Sequence, residues 1–326
     1  MKMTRPRVAA VLPVVLLATV ALLPAKLGAQ EPFPTRPVTI WVAFPPGGGT
    51  DILTRALAEG DEKILGQKDV VINKPGATGV VATAEVVKAK PDGYTLVWMS
   101  GSLITVTNLG NLDGDWGQFD HVARIAIDTV GIAVRADAPW KTFQEFIAEA
   151  RKNPGKIRVS NSGAGSFTHL GAVAFEIATG AKFTHAPLGV ERRVPSLLSG
   201  EVEATSVHPS EMISQLKAGQ VRFLAITSAK RDPAYPDVPT LKELGYDMVL
   251  DQFRGISVPK GTPKEIIKKL EEAFRRGSED PGFQKLARES GFTVSFLGQE
   301  EFVKYLAEQN EVVKKVLAQA RLQKKK

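Results

Sequence analysis

The sequence contains no cysteine and only four histidines. The first absence excludes a disulfide scaffold, an iron–sulfur cluster, a cysteine-ligated zinc site, a thiol nucleophile and a lipid-modified cysteine. The second leaves little for metal ligation: nothing resembles His-Glu-x-x-His, and His121 and His185 show no ligand-like spacing. No metal and no other cofactor is expected. Internal repeats and low-complexity tracts are lacking as well, and beyond residue 29 no apolar run is long enough to span a membrane.

An excess of one charge is also nearly absent once its location is considered. The chain of 326 residues has 42 Lys and Arg against 35 Asp and Glu, but Lys2, Arg5, Arg7 and Lys26 fall in an acid-free N-terminal stretch. Residues 30–326 carry 38 basic and 35 acidic side chains, and Lys324, Lys325 and Lys326 account for the difference. No helix bears a basic stripe interleaved with aromatics, so nucleic acid is not an expected partner. With 43% hydrophobic and 24% charged residues, the composition is that of a globular chain of roughly two domains.

Arg5 and Arg7 precede an uncharged run over 8–25, which Leu27-Gly28-Ala29 follows. A basic n-region, an apolar h-region and small residues at a cleavage position mark a secretory signal peptide over 1–29, cut near Ala29-Gln30. Pro13 and Pro24 interrupt a run that otherwise approaches the ~20 residues of a permanent anchor. An exported, periplasmic protein is expected.

From residue 38 the chain alternates strand and helix signals. The β-rich run 38–44 ends in Pro45-Pro46-Gly47-Gly48-Gly49-Thr50-Asp51, and 52–65 then shows helical spacing. A strand over 70–73, a helix over 80–89, a Pro91-Asp92-Gly93 turn and a strand over 94–99 follow. Further strands are expected at 122–127, 131–134, 157–160, 183–186, 203–207 and 221–227, with a helix from Thr142 and others between them. Pro233, Pro236 and Pro239 make 231–240 an irregular connection. Beyond it the pattern is mainly helical, at 263–276, 281–289 and 299–322, with one strand at 292–297. The alternation predicts an α/β fold of two lobes, each a mostly parallel sheet flanked by helices. Boundaries near Ile127 and Asp251 divide it into a discontinuous first lobe, 30–127 plus 251–326, and a second lobe, 128–250.

In such sheets ligands bind at the carboxyl ends of the strands, where helix N-termini present backbone N–H groups to anions. Pro46, Gly47, Gly48, Gly49, Thr50 and Asp51 occupy one such place. The glycines either let a ligand approach the backbone or serve a tight turn with Asp51 as helix cap. The loop lacks the Gly-Lys-Ser/Thr of a phosphate loop and the spaced glycines of a dinucleotide fold. A second loop of the same kind comprises Ser160, Asn161, Ser162, Gly163, Ala164, Gly165, Ser166, Phe167, Thr168 and His169. Ser166 and His169 stand three apart on a helix, yet no Gly-x-Ser-x-Gly elbow surrounds the serine and no acid is placed to orient the histidine. A helix cap and a partly buried helix residue are their expected roles, and an enzyme is not expected. His208 follows the strand at 203–207 as either a ligand contact or a structural histidine. Arg254 lies where the chain recrosses between lobes, and its guanidinium either binds a carboxylate bidentately or forms an interlobe salt bridge.

A series of short motifs then carries a resemblance. Phe33-Pro34-Thr35-Arg36-Pro37-Val38-Thr39-Ile40, Pro46-Gly47-Gly48-Gly49-Thr50-Asp51, Asn73-Lys74-Pro75-Gly76-Ala77-Thr78-Gly79 and Pro91-Asp92-Gly93-Tyr94-Thr95-Leu96 come first. Pro154-Gly155-Lys156, Gly165-Ser166 with His169-Leu170, Lys217-Ala218-Gly219, and Pro236-Asp237-Val238-Pro239-Thr240-Leu241 with Glu243-Leu244-Gly245 follow. In number and order they resemble the extracytoplasmic solute receptors of the tripartite tricarboxylate transporter system, also called Bug receptors, over nearly all of the mature chain.

The resemblance implies a two-lobed, type II-like periplasmic binding protein, working as a monomer, that closes on a small organic carboxylate and delivers it to a cognate membrane permease. It implies that the two glycine loops grip a carboxylate, partly through ordered water, which nominates Gly47, Gly48, Gly49 and Thr50, then Ser162, Gly163, Gly165 and Ser166, with Ser102 and Gly189 at further cleft positions. Phe253-Arg254-Gly255 is similar to the tricarboxylate-type branch, and an extra arginine suits a ligand with more than one carboxylate. Ala186-Pro187-Leu188-Gly189 departs from the family, which usually has a tyrosine and a basic or polar residue before the glycine. His208 stands where amino-acid-binding relatives carry an aspartate. A ligand sensor presenting its closed form to a signalling partner is the other reading of the same binding chemistry.

Overall fold

β-branched and aromatic residues build the first strands, Val38–Val42 (β1), Asp69–Asn73 (β2) and Thr95–Ser100 (β3), which run parallel and are connected through helices Gly49–Leu65 (α1) and Val80–Val87 (α2). The computed structural model describes residues 33–76, 79–112 and 115–322; the expected leader, Ala77 and Thr78 of one glycine motif, and Lys324, Lys325 and Lys326 lie outside them. Ser102–Asn108 forms a short helix (α3) inside a glycine-rich passage that carries no helix signal. Strand Phe119–Thr129 (β4) is followed, after Val130 alone, by Gly131–Arg135 (β5).

Next come Phe143–Lys152 (α4), Arg158–Asn161 (β6), Phe167–Thr179 (α5), Thr184–Pro187 (β7), Gly189–Ser199 (α6), Ala204–Val207 (β8), Ile213–Lys217 (α7) and Val221–Ile226 (β9). The chain ends with Asp251–Pro259 (β10), Lys264–Glu279 (α8), Pro281–Glu289 (α9), Thr293–Leu297 (β11) and Gln299–Gln319 (α10). The first sheet has the order β11-β4-β10-β3-β1-β2 and the second β7-β6-β8-β5-β9. No helix among the described residues is long and apolar enough to cross a membrane.

Both sheets are mixed, the second with β5 alone reversed, and the chain crossings are the cause. The chain leaves the first sheet at its carboxyl edge and enters the second from the corresponding edge, so β5 must run opposite to β8 and β9. On return, β10 enters the first sheet from the same end and pairs antiparallel with both β3 and β4. Thr227 fastens the two crossings, donating from its N–H to Val130 O at 2.9 Å and from its hydroxyl to Leu250 O at 2.6 Å.

The sequence gives no strand signal for β10, although all nine of its residues are buried. Gln252, Arg254 and Ser257 break up the apolar residues without strict alternation, Ser257 falling out of step with the other two where the register shifts. Here both faces are covered: Phe253 packs on Phe302 of α10 at 5.3 Å between centroids, and the opposite face, with Gln252 and Arg254, lines the interlobe region. Val38, Ile40, Leu53, Leu57, Trp98 and Phe274 lie in the core of the first lobe, each such side chain contributing ~1.5–3 kcal/mol by burial. In the second, Phe143, Phe146, Leu170 and Phe175 pack in one cluster with Leu306, Val313, Val316 and Leu317 of α10. That helix therefore packs on β4 and on α5 alike, a sharing that no division by residue range expresses.

Candidate functional site

The candidate residues stand at strand carboxyl ends. Gly47, Gly48 and Gly49 follow β1, Ser102 follows β3, Ser162 to Ser166 follow β6, Gly189 follows β7 and His208 follows β8. Arg254 is the exception, in the early part of the reversed strand β10.

In the first loop Gly47 adopts φ +79°, which only glycine takes readily, and α1 starts at Gly49 with Gly48 as its cap residue. Asp51 does not cap the helix. Its buried carboxylate accepts the Gly47 N–H at 2.8 Å, Asn73 Nδ2 at 2.8 Å and Arg55 Nε at 3.1 Å. Burial pushes this carboxyl up, but the bonds from Arg55, Gly47 and Asn73 prevail and hold it below the usual range. Asp51 is thus a brace that engages the N–H of Gly47, and the amides left to an anion are the first-turn groups of Gly49 and Thr50. Gly49 itself is packed: a Cβ there would lie 2.7 Å from the Phe292 ring.

The second loop is likewise bonded within itself. The N–H groups of Ser162, Gly163, Gly165 and Ser166 donate respectively to Thr168 Oγ1 (3.0 Å), Asn161 Oδ1 (2.9 Å), His169 Nδ1 (3.1 Å) and Gly163 O (3.0 Å). Ser166 caps α5, its Oγ accepting the His169 N–H at 3.1 Å. Ser166 Oγ and His169 Nδ1 are therefore each engaged with backbone, in the arrangement of a cap and a loop brace rather than of a nucleophile and its base. Here too the amides open to an anion are those of the first turn, Phe167 and Thr168. Asn161 is fully buried and its Nδ2 has no partner. Gly189, at φ +80°, opens α6 with no atom near its would-be Cβ. Ser102 is buried at the start of α3, its N–H donating to Ser100 Oγ at 3.3 Å.

His208 and Arg254 come together with residues the sequence did not flag. Arg254 Nη2 donates to Asp128 Oδ2 at 3.3 Å, Ser210 Oγ stands 3.4 Å from both Asp128 oxygens, and His208 Nδ1 meets Thr129 O at 2.8 Å. The guanidinium lies 5.5 Å over Phe292, the ring that contacts Gly49, and 6.0 Å from Phe44. The cation is thereby placed beside the first glycine loop. Its Nε and Nη1 are buried without partners. Because Asp128 is in β4 and Arg254 in β10, neighbours in one sheet, the ion pair lies within the first sheet and is not the interlobe bridge that was the competing expectation.

Burial pushes Asp128 up to about 7 against the pull of Arg254 and Ser210, and pushes His208 down to about 3, with Arg254 adding to the shift. His208 is neutral, with the Nδ1 proton on the Thr129 carbonyl, and stacks against Phe167 at 6.2 Å. Phe167 of the second lobe also sits over Gly101 of the first, where an added Cβ would come within 2.9 Å of the ring. Asp128 was findable as an acid at the end of a strand beside a lone recrossing arginine; Phe44, Ser210, Gln252 and Phe292 carry no such signal. A cavity of about 850 Å³ lies on the α10 side of β4, lined by Arg124, Asp251, Thr293 and Tyr305; it includes Thr129 but neither glycine loop, nor His208 or Arg254. Among the described residues no cluster of three or more His, Asp or Glu is arranged to hold a metal.

Two α/β lobes joined by crossing strands, with helix N-termini at their facing edges and a buried cation beside one of them, define a solute-binding protein. The chain belongs to the family described as tripartite tricarboxylate transporter family receptor (TctC), whose profile matches residues 53–322. It is similar to a TctC solute binding protein from Polaromonas, with 36% identity and a TM-score of 0.81 over 88% of this chain and 99% of that one. A Rhodopseudomonas palustris protein solved with adipate matches at 28% identity and TM-score 0.74, over 89% and 98% of the two chains. MatC from the same organism, solved with bound malate, matches at 26% and 0.70, over 87% and 100%. The family is one of substrate-binding receptors, not of enzymes.

Proposed function

We propose that this protein captures a small dicarboxylate or tricarboxylate in the periplasm and delivers it, as a monomer, to a membrane permease of the tripartite tricarboxylate type. The observation that carries the reading is the Arg254 guanidinium, buried beside the first glycine loop with Nε and Nη1 unpartnered. One ligand carboxylate is held by the first-turn amides of α1 and α5, each helix end adding ~0.3–1 kcal/mol electrostatically. A second, distal carboxylate pairs with Arg254, the stronger and charge-assisted contact. Malate and adipate in the related structures are ligands of this class. The basic, apolar and small-residue segments of 1–29 support export.

A thermal-shift screen tests the reading, using protein that begins at Gln30 and has been unfolded and refolded to strip copurified ligand. A ligand selective for the native state raises its stability by about 2.7 kcal/mol at a hundred times Kd. Stabilisation confined to dicarboxylates and tricarboxylates is expected. Stabilisation by amino acids or sugars alone, or by nothing in the panel, would sink it.

A further inference from the structure

His169 stands in the first turn of α5, half-buried and pointing its Nδ1 back at the loop that precedes the helix. Its backbone N–H is already held by Ser166 Oγ, so the side chain adds a second, separate tie: Nδ1 accepts the Gly165 N–H at 3.1 Å. Gly165, at φ +76°, lies in a turn closed by the Ser166 N–H on Gly163 O, and the imidazole adds the tie that joins this turn to the body of α5. An imidazole can accept at Nδ1 only when that nitrogen is unprotonated. The surroundings secure this state: burial and the neighbouring His185 push His169 down to about 4, with Glu176 opposing. The ring packs edge to face on His185 at 4.9 Å, and His185 Nε2 is 3.5 Å from Glu176 Oε1, which also accepts the Phe183 N–H at 2.7 Å. The loop is thus anchored through one side chain to a polar cluster formed by α5 and β7.

We infer that His169 is the positioning residue of the second glycine loop: through Nδ1 it fixes Gly165, and with it the path of the chain into the first turn of α5 where a carboxylate binds. His169 touches no ligand in this scheme and acts through Gly165. The structural half stands by itself, while the binding half rests on the receptor reading.

Asn places its Oδ1 where Nδ1 lies, whereas the amide of Gln reaches instead toward the Nε2 position. Backbone hydrogen exchange over 162–170 should therefore accelerate in His169→Gln and stay near wild type in His169→Asn, with both variants folded by circular dichroism. Adipate and malate, measured by titration calorimetry, should bind about tenfold more weakly to His169→Gln and recover to within about threefold in His169→Asn, the scale of one neutral hydrogen bond. Unchanged exchange in His169→Gln would overturn the inference, as would faster exchange with unchanged affinity or failure of Asn to rescue. If wild type binds neither acid yet His169→Gln still loses protection and His169→Asn keeps it, the loop tie stands and the receptor reading is what fails.

Discussion

Asp128 is the partner of Arg254: Oδ2 accepts from Nη2 at 3.3 Å, in a site where burial pushes the aspartate up to about 7, and on the proposed binding of a ligand carboxylate by Arg254 it is a competitor for that cation. As pH falls through that value, the carboxylate becomes neutral and releases the guanidinium, while ligand carboxylates remain ionised above about pH 5. The other charged groups facing Asp128 are Arg193 of α6, Asp232 and Asp251, and His208 stays neutral throughout the range. Dicarboxylate affinity should rise by roughly threefold to tenfold between pH 8 and pH 6, the scale of one competing bond. Calorimetry at both pH values checks this; the slope should fall in Asp128→Asn to what Asp251, also pushed up to about 7 by burial, contributes, and a wild type with flat affinity would refute the competition.

Arg254→Gln should separate ligands by charge. Losing a charge-assisted contact weakens a dicarboxylate by roughly tenfold to a hundredfold, on a scale of ~1.5–3 kcal/mol, and leaves a monocarboxylate within about threefold. Equal losses for the two classes would remove Arg254 from recognition and leave it as the partner of Asp128 alone.

Asp51→Ala frees the Gly47 N–H and unseats both Asn73 and Arg55. Affinity should fall by about tenfold although the carboxylate itself reaches no ligand, and Asn73→Ala should reproduce part of the loss. Retained affinity in an Asp51→Ala variant whose melting temperature has dropped would mean the first loop does not form the site.

Gly101→Ala places a methyl group 2.9 Å from the Phe167 ring across the lobe junction. The backbone there is right-handed helical, so alanine brings no φ/ψ strain, but the buried ring must give way to so close a methyl group, and the ligand-free protein should melt a few degrees below wild type. Closure should suffer as well, seen as about tenfold weaker binding with a smaller ligand-induced contraction in small-angle scattering. Unaltered affinity would show that the lobes do not close through this contact.

Asp61 and Asp69 are buried with no partner on any carboxyl oxygen. Burial, aided by the charge of Asp69, pushes Asp61 well above the usual range, and burial with Glu62 pushes Asp69 up to about 7. Folded values raised above unfolded ones bring stability that is present below pH 3.8 and lost as pH rises through about 7. Asp61→Asn mimics the protonated acid and cannot ionise, so it should melt higher than wild type at pH 8, by roughly 2–4 °C for each kcal/mol relieved, with the gap closing at pH 4. A gap that widens toward low pH would reverse the assignment.

Periodicity made the α/β alternation and both glycine loops legible, because β1, β6 and their following helices have uninterrupted patterns next to turn residues. β10 was not legible, since Arg254 and Gln252 look like solvent-facing residues until distant parts of the chain, Phe44, Asp128 and Phe292 among them, bury the arginine. The same distance effect hid the role of Asp51. Its position predicts a cap, and only the arrival of Asn73 from a neighbouring strand turns it into a brace. Loop composition identified where an anion can approach, but not which amides remain open after the loops have bonded to themselves.

α10 runs from β4 in one lobe to α5 in the other, and Asn310 on it accepts a bond from Asn108 at 2.8 Å. A helix seated at both ends acts as a leaf spring across the joint: any closing rotation must flex it or slide Val313, Val316 and Leu317 over their seat. On the proposed capture of a ligand between the lobes, part of the work is therefore done far from the cleft, and sequence drift along this helix would retune affinity while every residue that meets the ligand stays the same.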